Sequence, residues 1–194
     1  MKNRNLILAS ASPRRREILE SAGYVFSVIS PDCEEVCGGL PPEELTVENS
    51  KRKAAAALLT EKGVIICADT VVAVNGKILG KPGNAKRAAE MLDMLSEAAH
   101  SVITGYTVTD GEKAVSGYVE TKVFMRKIHS DERDRYIEVQ RPFDKAGAYG
   151  IQEAAGMFVS KIEGDYYNVV GLPLSKISEI LREDFSLCAF MKDN

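Results

Sequence analysis

The sequence contains no tryptophan, only two histidines and only four cysteines in 194 residues. The histidines, His100 and His129, are far along the chain from the C-x3-C pair Cys33 and Cys37, and no second cysteine pair completes a zinc-ligand set. Because structural zinc sites use four Cys or His ligands, we interpret this pair as two loop thiols. The P-loop, the dinucleotide-binding glycine motif, the HExxH motif and a Ser-His-Asp arrangement are also missing, so the enzyme classes that depend on them are disfavoured.

Long apolar runs and an excess of one charge are absent as well. No segment approaches the about 20 apolar residues of a membrane span, and the run from Leu6 to Ala9 is too short for a signal-peptide core. The formal net charge of −3, from 25 basic and 28 acidic side chains, does not favour binding to nucleic acid or to a membrane. We expect a single domain over residues 1–194, and the cysteine usage fits a cytoplasmic protein.

The hydrophobic pattern predicts alternating strands and helices at the start of the chain and hairpins in its middle and at its end. Such a mixture is typical of an α/β fold with α+β character, in which helices flank a mixed sheet. Ser12, Asn84 and Ser130 are the expected helix caps. The predicted strands are 6–9, 24–29, 64–74, 77–79, 102–109, 113–125, 157–162 and 166–170, and the predicted helices are 13–22, 43–60, 85–95, 130–139 and 173–183.

The segment Ser10-Ala11-Ser12-Pro13-Arg14-Arg15 joins the first predicted strand to the first helix. A helix N-terminus presents unpaired N–H groups and the positive end of the helix dipole, and here hydroxyls and arginines surround it. This pattern indicates an anion site that would suit an oligophosphate. The alternative is that Ser12 only caps the helix and that the arginines form a solvated face.

Asp69 interrupts the apolar stretch 64–74, where a carboxylate is costly unless it lies at a strand end facing a cleft, with a partner or a metal. Mg²⁺ usually binds through one or two carboxylates together with phosphates and waters, so Glu34 or Glu35 is the candidate second ligand. The alternatives are a turn aspartate and an acidic surface loop.

Lys53, on a predicted helix, and Lys81, in a Gly-Lys-Pro-Gly turn, are candidates to neutralise phosphate oxygens, although a surface lysine is usually just solvated. In the small-residue loop 144–152, Lys145, Tyr149 and Gln152 offer polar groups. The amide of Gln152 could read the acceptor-donor edge of a uracil or thymine ring. The alternative is a structural glycine-rich loop. Together these groups favour metal-assisted attack of water on a phosphate.

Five segments of the chain are similar to motifs of the Maf family of nucleoside triphosphate pyrophosphatases, and the resemblance covers nearly the whole chain. The matching segments are LILASASPRR near the start, CADTVV at 67–72, GKP at 80–82, DKAGAYGIQ at 144–152 and GDYYNVVGLPL at 164–174. The resemblance implies a fold similar to that of inosine triphosphatases, with two lobes around a long cleft. It also implies hydrolysis of a nucleoside triphosphate to the monophosphate and pyrophosphate with Mg²⁺ or Mn²⁺, and it suggests a homodimer.

The resemblance also assigns roles to residues. It implies that Asp69 is the catalytic proton acceptor and, with Glu35, a metal ligand. The form AYGIQ resembles the branch that acts on dTTP and UTP, with CTP or modified pyrimidine nucleotides as further candidate substrates. The residues implied in substrate choice are Arg14, Thr70 and Gln152, and those implied in phosphate binding are Ser10, Arg15, Lys53 and Lys81.

Two positions depart from the family pattern: Glu153 stands where a glycine is expected, and Met125 where an aromatic residue is usual. Both could change base preference.

Two rival functions remain open. A haloacid-type phosphatase would release orthophosphate, but it needs a second Asp two residues after the first, and Val71 stands there. A nucleotide-sensing regulator of cell division would bind nucleotide with only incidental turnover.

Overall fold

The computed structural model describes residues 5–190, which form six α-helices and seven β-strands, with two short 3₁₀ turns at Ala146–Ala148 and Ala154–Phe158. The strands are β1 (Leu6–Ala9), β2 (Ser27–Ile29), β3 (Val64–Val74), β4 (Lys77–Leu79), β5 (Ala99–Thr109), β6 (Ala114–Met125) and β7 (Val159–Glu163). The helices are α1 (Pro13–Ser21), α2 (Pro42–Leu58), α3 (Ala85–Leu95), α4 (Ser130–Gln140), α5 (Tyr166–Val170) and α6 (Leu174–Phe185).

The strands form one mixed sheet in the order β2-β1-β3-β5-β6-β7, and β4 pairs with β3 outside this path. β1 runs parallel to both of its neighbours, with Ile7 opposite Ser27 of β2 and Ile65 of β3. The pairs β3–β4 and β6–β7 are antiparallel. The predicted α/β class with a mixed sheet and flanking helices is therefore confirmed.

The chain divides into two compact units. Within the described residues, the first unit comprises 5–69, 104–119 and 171–190, and the second comprises Thr70–Ile103 and Glu120–Val170. Strands β3, β5 and β6 contribute residues to both. The single domain over residues 1–194, and the two lobes around a long cleft that the family resemblance implies, stay predictions.

In the first unit, helix α2 lies directly on strand β5. A Cβ atom on Gly105 would overlap the backbone of Thr46 and Val47, so only glycine allows this approach. Buried hydroxyls reinforce the contact, since the Ser50 Oγ lies 2.8 Å from the Thr107 Oγ1. Two alanines of α2, Ala54 and Ala57, also pack in one apolar cluster with residues of β1 and β3. This packing determines which face of α2 lies toward the end of β1.

The second unit has its own apolar core, which helices α3 and α4 share with parts of β3, β5 and β6. Tyr136 of α4 packs edge-on against the fully buried Phe158. The buried His100 lies with its Nε2 2.7 Å from the Tyr149 hydroxyl. Burial lowers the pKa of His100 to about 4 and raises the pKa of Tyr149. Both side chains are therefore neutral at pH 7.

The predicted hairpin between 157–162 and 166–170 is wrong. Residues Tyr166–Val170 form helix α5, and β7 pairs with β6 instead. The reason is local, because the Asp165 Oδ1 accepts hydrogen bonds from the backbone N–H groups of Tyr167, at 2.8 Å, and Asn168, at 3.3 Å. An aspartate in this position starts a helix and satisfies N–H groups that a strand would offer to a neighbour.

Two of the three predicted caps, Ser12 and Asn84, occupy N-cap positions, and the third does not. The Asn84 side chain accepts from the Arg87 N–H, as expected. Ser12 occupies the N-cap position of α1, but its side chain makes no capping hydrogen bond within residues 5–190. The cap of α4 is His129 rather than Ser130, and the side chain of Glu132 closes a capping box there. Along the described part of the chain, no helix combines the length and the apolar character needed to cross a membrane.

Candidate active site

The turn between β1 and α1 closes around the hydroxyl of Ser10. This buried side chain accepts a hydrogen bond from the Ser12 N–H at 3.2 Å and another from the Arg15 Nη1 at 3.1 Å. Pro13 begins α1, where the proline ring is already preorganised for the helix. The small residues of the motif thus form a compact turn whose geometry its own side chains maintain.

Arg15 ties this turn to two other segments of the first unit. Its Nε donates to the Gly171 carbonyl at 2.7 Å, and its Nη1 donates to the Ala68 carbonyl at 2.9 Å. Burial lowers the pKa of Arg15 while the charge of Asp69 acts in the opposite direction. The guanidinium therefore works as a framework contact, and a direct clamp on phosphate by Arg15 stays a prediction.

The arginines on either side of Arg15 in the chain occupy different environments. Arg14, in the first turn of α1, is half-buried. Arg16 is exposed and forms an ion pair with Glu20, four residues later, with 2.6 Å between Nε and Oε1. Such surface pairs contribute little to stability. Arg16 is therefore a solvated helix residue.

Asp69 lies in the middle of β3, not at a strand end as expected from the apolar run that precedes it. β3 pairs with β1 through Val64–Ile66 and with β4 only from Val72 onward, so Asp69 falls between the two partners. The carbonyl of the preceding Ala68 accepts side-chain donors, the Arg15 Nη1 at 2.9 Å and the Lys53 Nζ at 3.5 Å. The Asp69 carboxylate is tolerated in the middle of the strand because the Lys53 ammonium pairs with it.

Lys53 brings together the two carboxylates that the sequence singled out. Its Nζ lies 2.7 Å from the Asp69 Oδ1 and 2.8 Å from the Glu35 Oε1. The side chains of Lys53 and Asp69 are only 14% and 15% exposed, whereas that of Glu35 is 50% exposed. Of the two candidate glutamates, Glu35 is the one whose carboxylate reaches this ammonium. The contact to Asp69 is therefore the stronger of the two, because water screens it less.

Asn49 is a member of this cluster that the sequence analysis missed. Its Nδ2 donates to the Asp69 Oδ2 at 3.1 Å and to the Val36 carbonyl at 3.1 Å, while its Oδ1 accepts from the Val36 N–H at 2.8 Å. Asn49 precedes Lys53 by four residues, which places both on one face of α2. That spacing, with a polar residue on the packed face of a helix, was the available signal.

The chemistry of this cluster fits a divalent cation. The oxygens of Asp69 and Glu35 both lie within hydrogen-bond distance of one ammonium, so they already converge on a positively charged group. Mg²⁺ takes hard oxygen ligands and commonly uses only one or two carboxylates, with phosphate oxygens and waters in the other positions. Within residues 5–190 no group of three or more His, Cys, Asp or Glu side chains could hold a metal.

Three predicted site residues belong to the second unit. Thr70 follows Asp69 directly in β3 and is half-buried. Lys81 is exposed in the segment between β4 and α3, and Gln152 is exposed in the turn that follows residue 150. Both have side chains open to solvent, as a substrate contact requires.

The loop 144–152 directs two of its three predicted polar groups into the protein. Tyr149 contacts His100, as described above, and Lys145 is buried with its Nζ 3.3 Å from the Glu153 Oε2 and 3.2 Å from the Asp144 Oδ1. Glu153, the residue where the family pattern has glycine, thus neutralises a buried lysine. The other departure, Met125, fills the core of the second unit.

The second unit also carries an open pocket of about 420 Å³, lined in part by His100, Lys122, Phe124 and Glu163. The predicted site residues, all of which the structure describes, are not among those that line it. We therefore assign the chemistry to the carboxylate cluster and not to this pocket.

Comparison with known proteins identifies the family of this chain. Residues 5–184 match the model of the family described as Maf-like protein. A protein of Alkaliphilus oremlandii named dTTP/UTP pyrophosphatase is 46% identical over 189 residues, covering 95% of this chain and 98% of its own length. Proteins of the same name from Citrifermentans bemidjiense and Bacillus pumilus are 47% and 44% identical, with 94% and 95% of this chain covered and 96% and 98% of their own lengths.

A solved structure, a HAM1 protein from Coxiella burnetii, is 19% identical with a TM-score of 0.48, over 92% of this chain and 98% of its own. The match to the family model, by contrast, extends over residues 5–184, which include every predicted site residue. The chain belongs to the Maf-like protein family.

Proposed function

We propose that this protein is a nucleoside triphosphate pyrophosphatase, a hydrolase of acid anhydrides that converts dTTP and UTP to the monophosphate and pyrophosphate. Such an activity would remove these nucleotides from the cellular pool. Support comes from relatives that carry the name dTTP/UTP pyrophosphatase and that align over nearly their whole length. The structural observation that carries the proposal is the convergence of Asp69 and Glu35 on the ammonium of Lys53.

In the proposed reaction, a water oxygen attacks the α-phosphorus, the bond from that phosphorus to the oxygen bridging to the β-phosphorus breaks, and pyrophosphate leaves. Asp69 orients the water and accepts its proton. Asn49 holds the Oδ2 of this carboxylate, and the Oδ1 becomes accessible to the water when Lys53 turns to the substrate phosphates. A bound Mg²⁺ or Mn²⁺, held by Asp69 and Glu35, would neutralise negative charge on the phosphate oxygens.

Cationic and hydroxyl groups of the first unit would bind the phosphates. Lys53 is positioned to exchange its carboxylate contacts for a phosphate oxygen, as a flexible ammonium can. Arg14 lies in the first turn of α1, where the helix dipole adds to its charge. Ser10 and Arg15 would act mainly by keeping this turn in shape, since their polar atoms already contact each other and the neighbouring segments.

For the second unit we propose that Lys81 contacts phosphate and that Thr70 and Gln152 contribute to base choice. The amide of Gln152 can pair with the acceptor-donor edge of uracil or thymine, whereas cytosine presents a different edge. Gln152→Ala is therefore expected to lower kcat/KM for UTP by about 10-fold or more, since an unpaired polar group of the substrate is costly to bury. An unchanged ratio of UTP to CTP turnover would remove Gln152 from base recognition.

A product screen tests the proposed function. The purified protein is incubated with each common nucleoside triphosphate and with Mg²⁺ or Mn²⁺, and the products are separated. UMP with pyrophosphate supports the proposal, whereas UDP with orthophosphate identifies a phosphatase. Tight nucleotide binding without turnover in either metal would instead favour the nucleotide-sensing role. Omitting the divalent cation should abolish turnover, and sedimentation of the same sample tests the expected homodimer.

A further inference from the structure

Helix α2 presents two side chains to the carboxylate cluster, Asn49 and Lys53, four residues apart. Each of them contacts both the loop that carries Glu35 and the strand that carries Asp69. Lys53 reaches the two carboxylates themselves, at 2.8 Å and 2.7 Å. Asn49 reaches the loop through the backbone of Val36 and the strand through the other oxygen of Asp69. The two side chains thus make parallel bridges between the same two segments.

The two bridges differ in how firmly they are held. Asn49 is 3% exposed, and its three hydrogen bonds use its amide oxygen and both amide hydrogens. The amide is planar and its stem short, so it has one arrangement that satisfies all three bonds. The ammonium of Lys53 sits on a flexible four-carbon stem and can turn to a new anion at small cost. A substrate phosphate would therefore compete for Lys53 but not for Asn49.

We propose that Asn49 is a positioning residue that keeps Glu35 and Asp69 in register for a divalent cation, which rests on the function proposed above. When Lys53 turns to the phosphates of the substrate, the ammonium bridge between the carboxylates opens. The Asn49 bridge remains and holds the Val36 backbone, next to Glu35, at a fixed distance from Asp69. Two carboxylates on separate segments bind one cation well only if their spacing is fixed beforehand.

The competing explanation is that Asn49 only stabilises the fold. Ser50 offers a matched control, because it is the next residue of α2, is equally buried and makes a hydrogen bond to Thr107 rather than to the cluster. Ser50→Ala therefore removes a buried polar contact of the same helix without touching Asp69 or the Glu35 loop.

The test compares Asn49→Ala with Ser50→Ala and the unchanged protein. Steady-state kinetics with UTP and Mg²⁺ give kcat and KM, calorimetric titration with Mn²⁺ alone gives the metal affinity, and thermal melts report folding. For Asn49→Ala we expect kcat to fall about 10- to 100-fold and the Kd for Mn²⁺ to rise about 10-fold, the usual effect of losing a residue that orients metal ligands. KM for UTP should change less than about threefold, because phosphate-binding groups are retained.

Ser50→Ala should lower the melting temperature with kcat and Mn²⁺ affinity close to those of the unchanged protein. The proposal is overturned if Asn49→Ala keeps its Mn²⁺ affinity, or if Ser50→Ala loses Mn²⁺ affinity and kcat to the same degree. Should Asn49→Ala not fold, Asn49→Ser, which keeps a small polar group at the buried position, is measured with the same expectation and the same refuting result.

The Mn²⁺ titration separates this proposal from the proposed function. If the unchanged protein releases no pyrophosphate from any nucleotide, the proposed function fails, while the comparison of Mn²⁺ affinities still decides the role of Asn49. If the protein is active and Mn²⁺ binds equally to the Asn49→Ala variant, the function stands and the role of Asn49 fails.

Discussion

Replacing Lys53 with methionine should change metal binding and catalysis in opposite directions. Methionine has nearly the length of lysine but no charge, so Lys53→Met removes the ammonium that lies between Glu35 and Asp69. In the unchanged protein a divalent cation must displace that ammonium before it can use both carboxylates. In the variant the carboxylates repel each other and lack a counter-charge, which favours binding of a cation.

The size of the effect follows from the contact to Asp69. A hydrogen bond between charged groups contributes about 1.5–3 kcal/mol, and these two side chains are shielded enough from water for the lower part of that range to apply. The half-exposed Glu35 adds little, because exposed ion pairs contribute about 0–1 kcal/mol. Since about 1.4 kcal/mol corresponds to a tenfold change in affinity, Mn²⁺ should bind roughly 10-fold more tightly to the variant.

The assay is a calorimetric Mn²⁺ titration without nucleotide, followed by pyrophosphate release from UTP. Turnover should fall about 100-fold or more, because a cation that stabilises developing phosphate charge has been lost. Lys51→Met is the control, since Lys51 is exposed on the same helix. Weaker or unchanged Mn²⁺ binding in Lys53→Met would refute the idea that Glu35 and Asp69 hold one cation, and unchanged turnover would refute a role for Lys53 in phosphate binding.

Three further predictions concern the framework. Gly105→Ala should destabilise the protein by roughly 2 kcal/mol, because the new methyl group meets the backbone of α2. In a thermal scan the melting temperature should fall by about 4–8 °C. An unchanged melting temperature would contradict the packing of α2 on β5. The pKa of His100 in the folded protein, about 4, lies below its ordinary 6.5, so the free energy of unfolding should fall by up to roughly 3 kcal/mol as the pH falls from 6.5 to 4. Urea titrations at several pH values should show this pH dependence in the unchanged protein and not in His100→Gln. Arg15→Lys should lower the free energy of unfolding by roughly 2 kcal/mol in the same titrations, since one ammonium cannot reach all three acceptors of the guanidinium. Unchanged stability with a raised KM for UTP would instead indicate that Arg15 binds phosphate directly.

Local signals in the sequence predicted the elements that have strong periodicity or turn chemistry. Pro13 starts the first helix and Asn84 caps the third as expected. The sequence predicts a strand for 166–170 because its aromatic and β-branched residues favour that state in isolation. A single cap at Asp165 overrides the preference, and a five-residue segment is too short for periodicity to decide between the two.

The site was predictable where chemistry marks a residue and unpredictable where function depends on long-range contacts. Asp69 is marked by being a carboxylate in an apolar run, whereas Glu35 is one of two candidate loop glutamates that only the family resemblance distinguishes. Their meeting on one ammonium depends on how α2 packs on β5, which Gly105 allows and the local sequence does not reveal. Likewise the role of Arg15 is set by the carbonyls of residues 68 and 171, which lie far from it along the chain.

The most direct test of the central claim is hydrolysis of UTP in water labelled with ¹⁸O, with Mg²⁺ present, by the unchanged protein and by Asp69→Asn. Attack on the α-phosphorus predicts one ¹⁸O atom in UMP and none in pyrophosphate, as read by mass spectrometry. Asp69→Asn should release UMP at least about 100-fold more slowly, because the asparagine amide cannot accept the proton. Label in pyrophosphate or orthophosphate, or near-normal turnover by Asp69→Asn, would contradict the account.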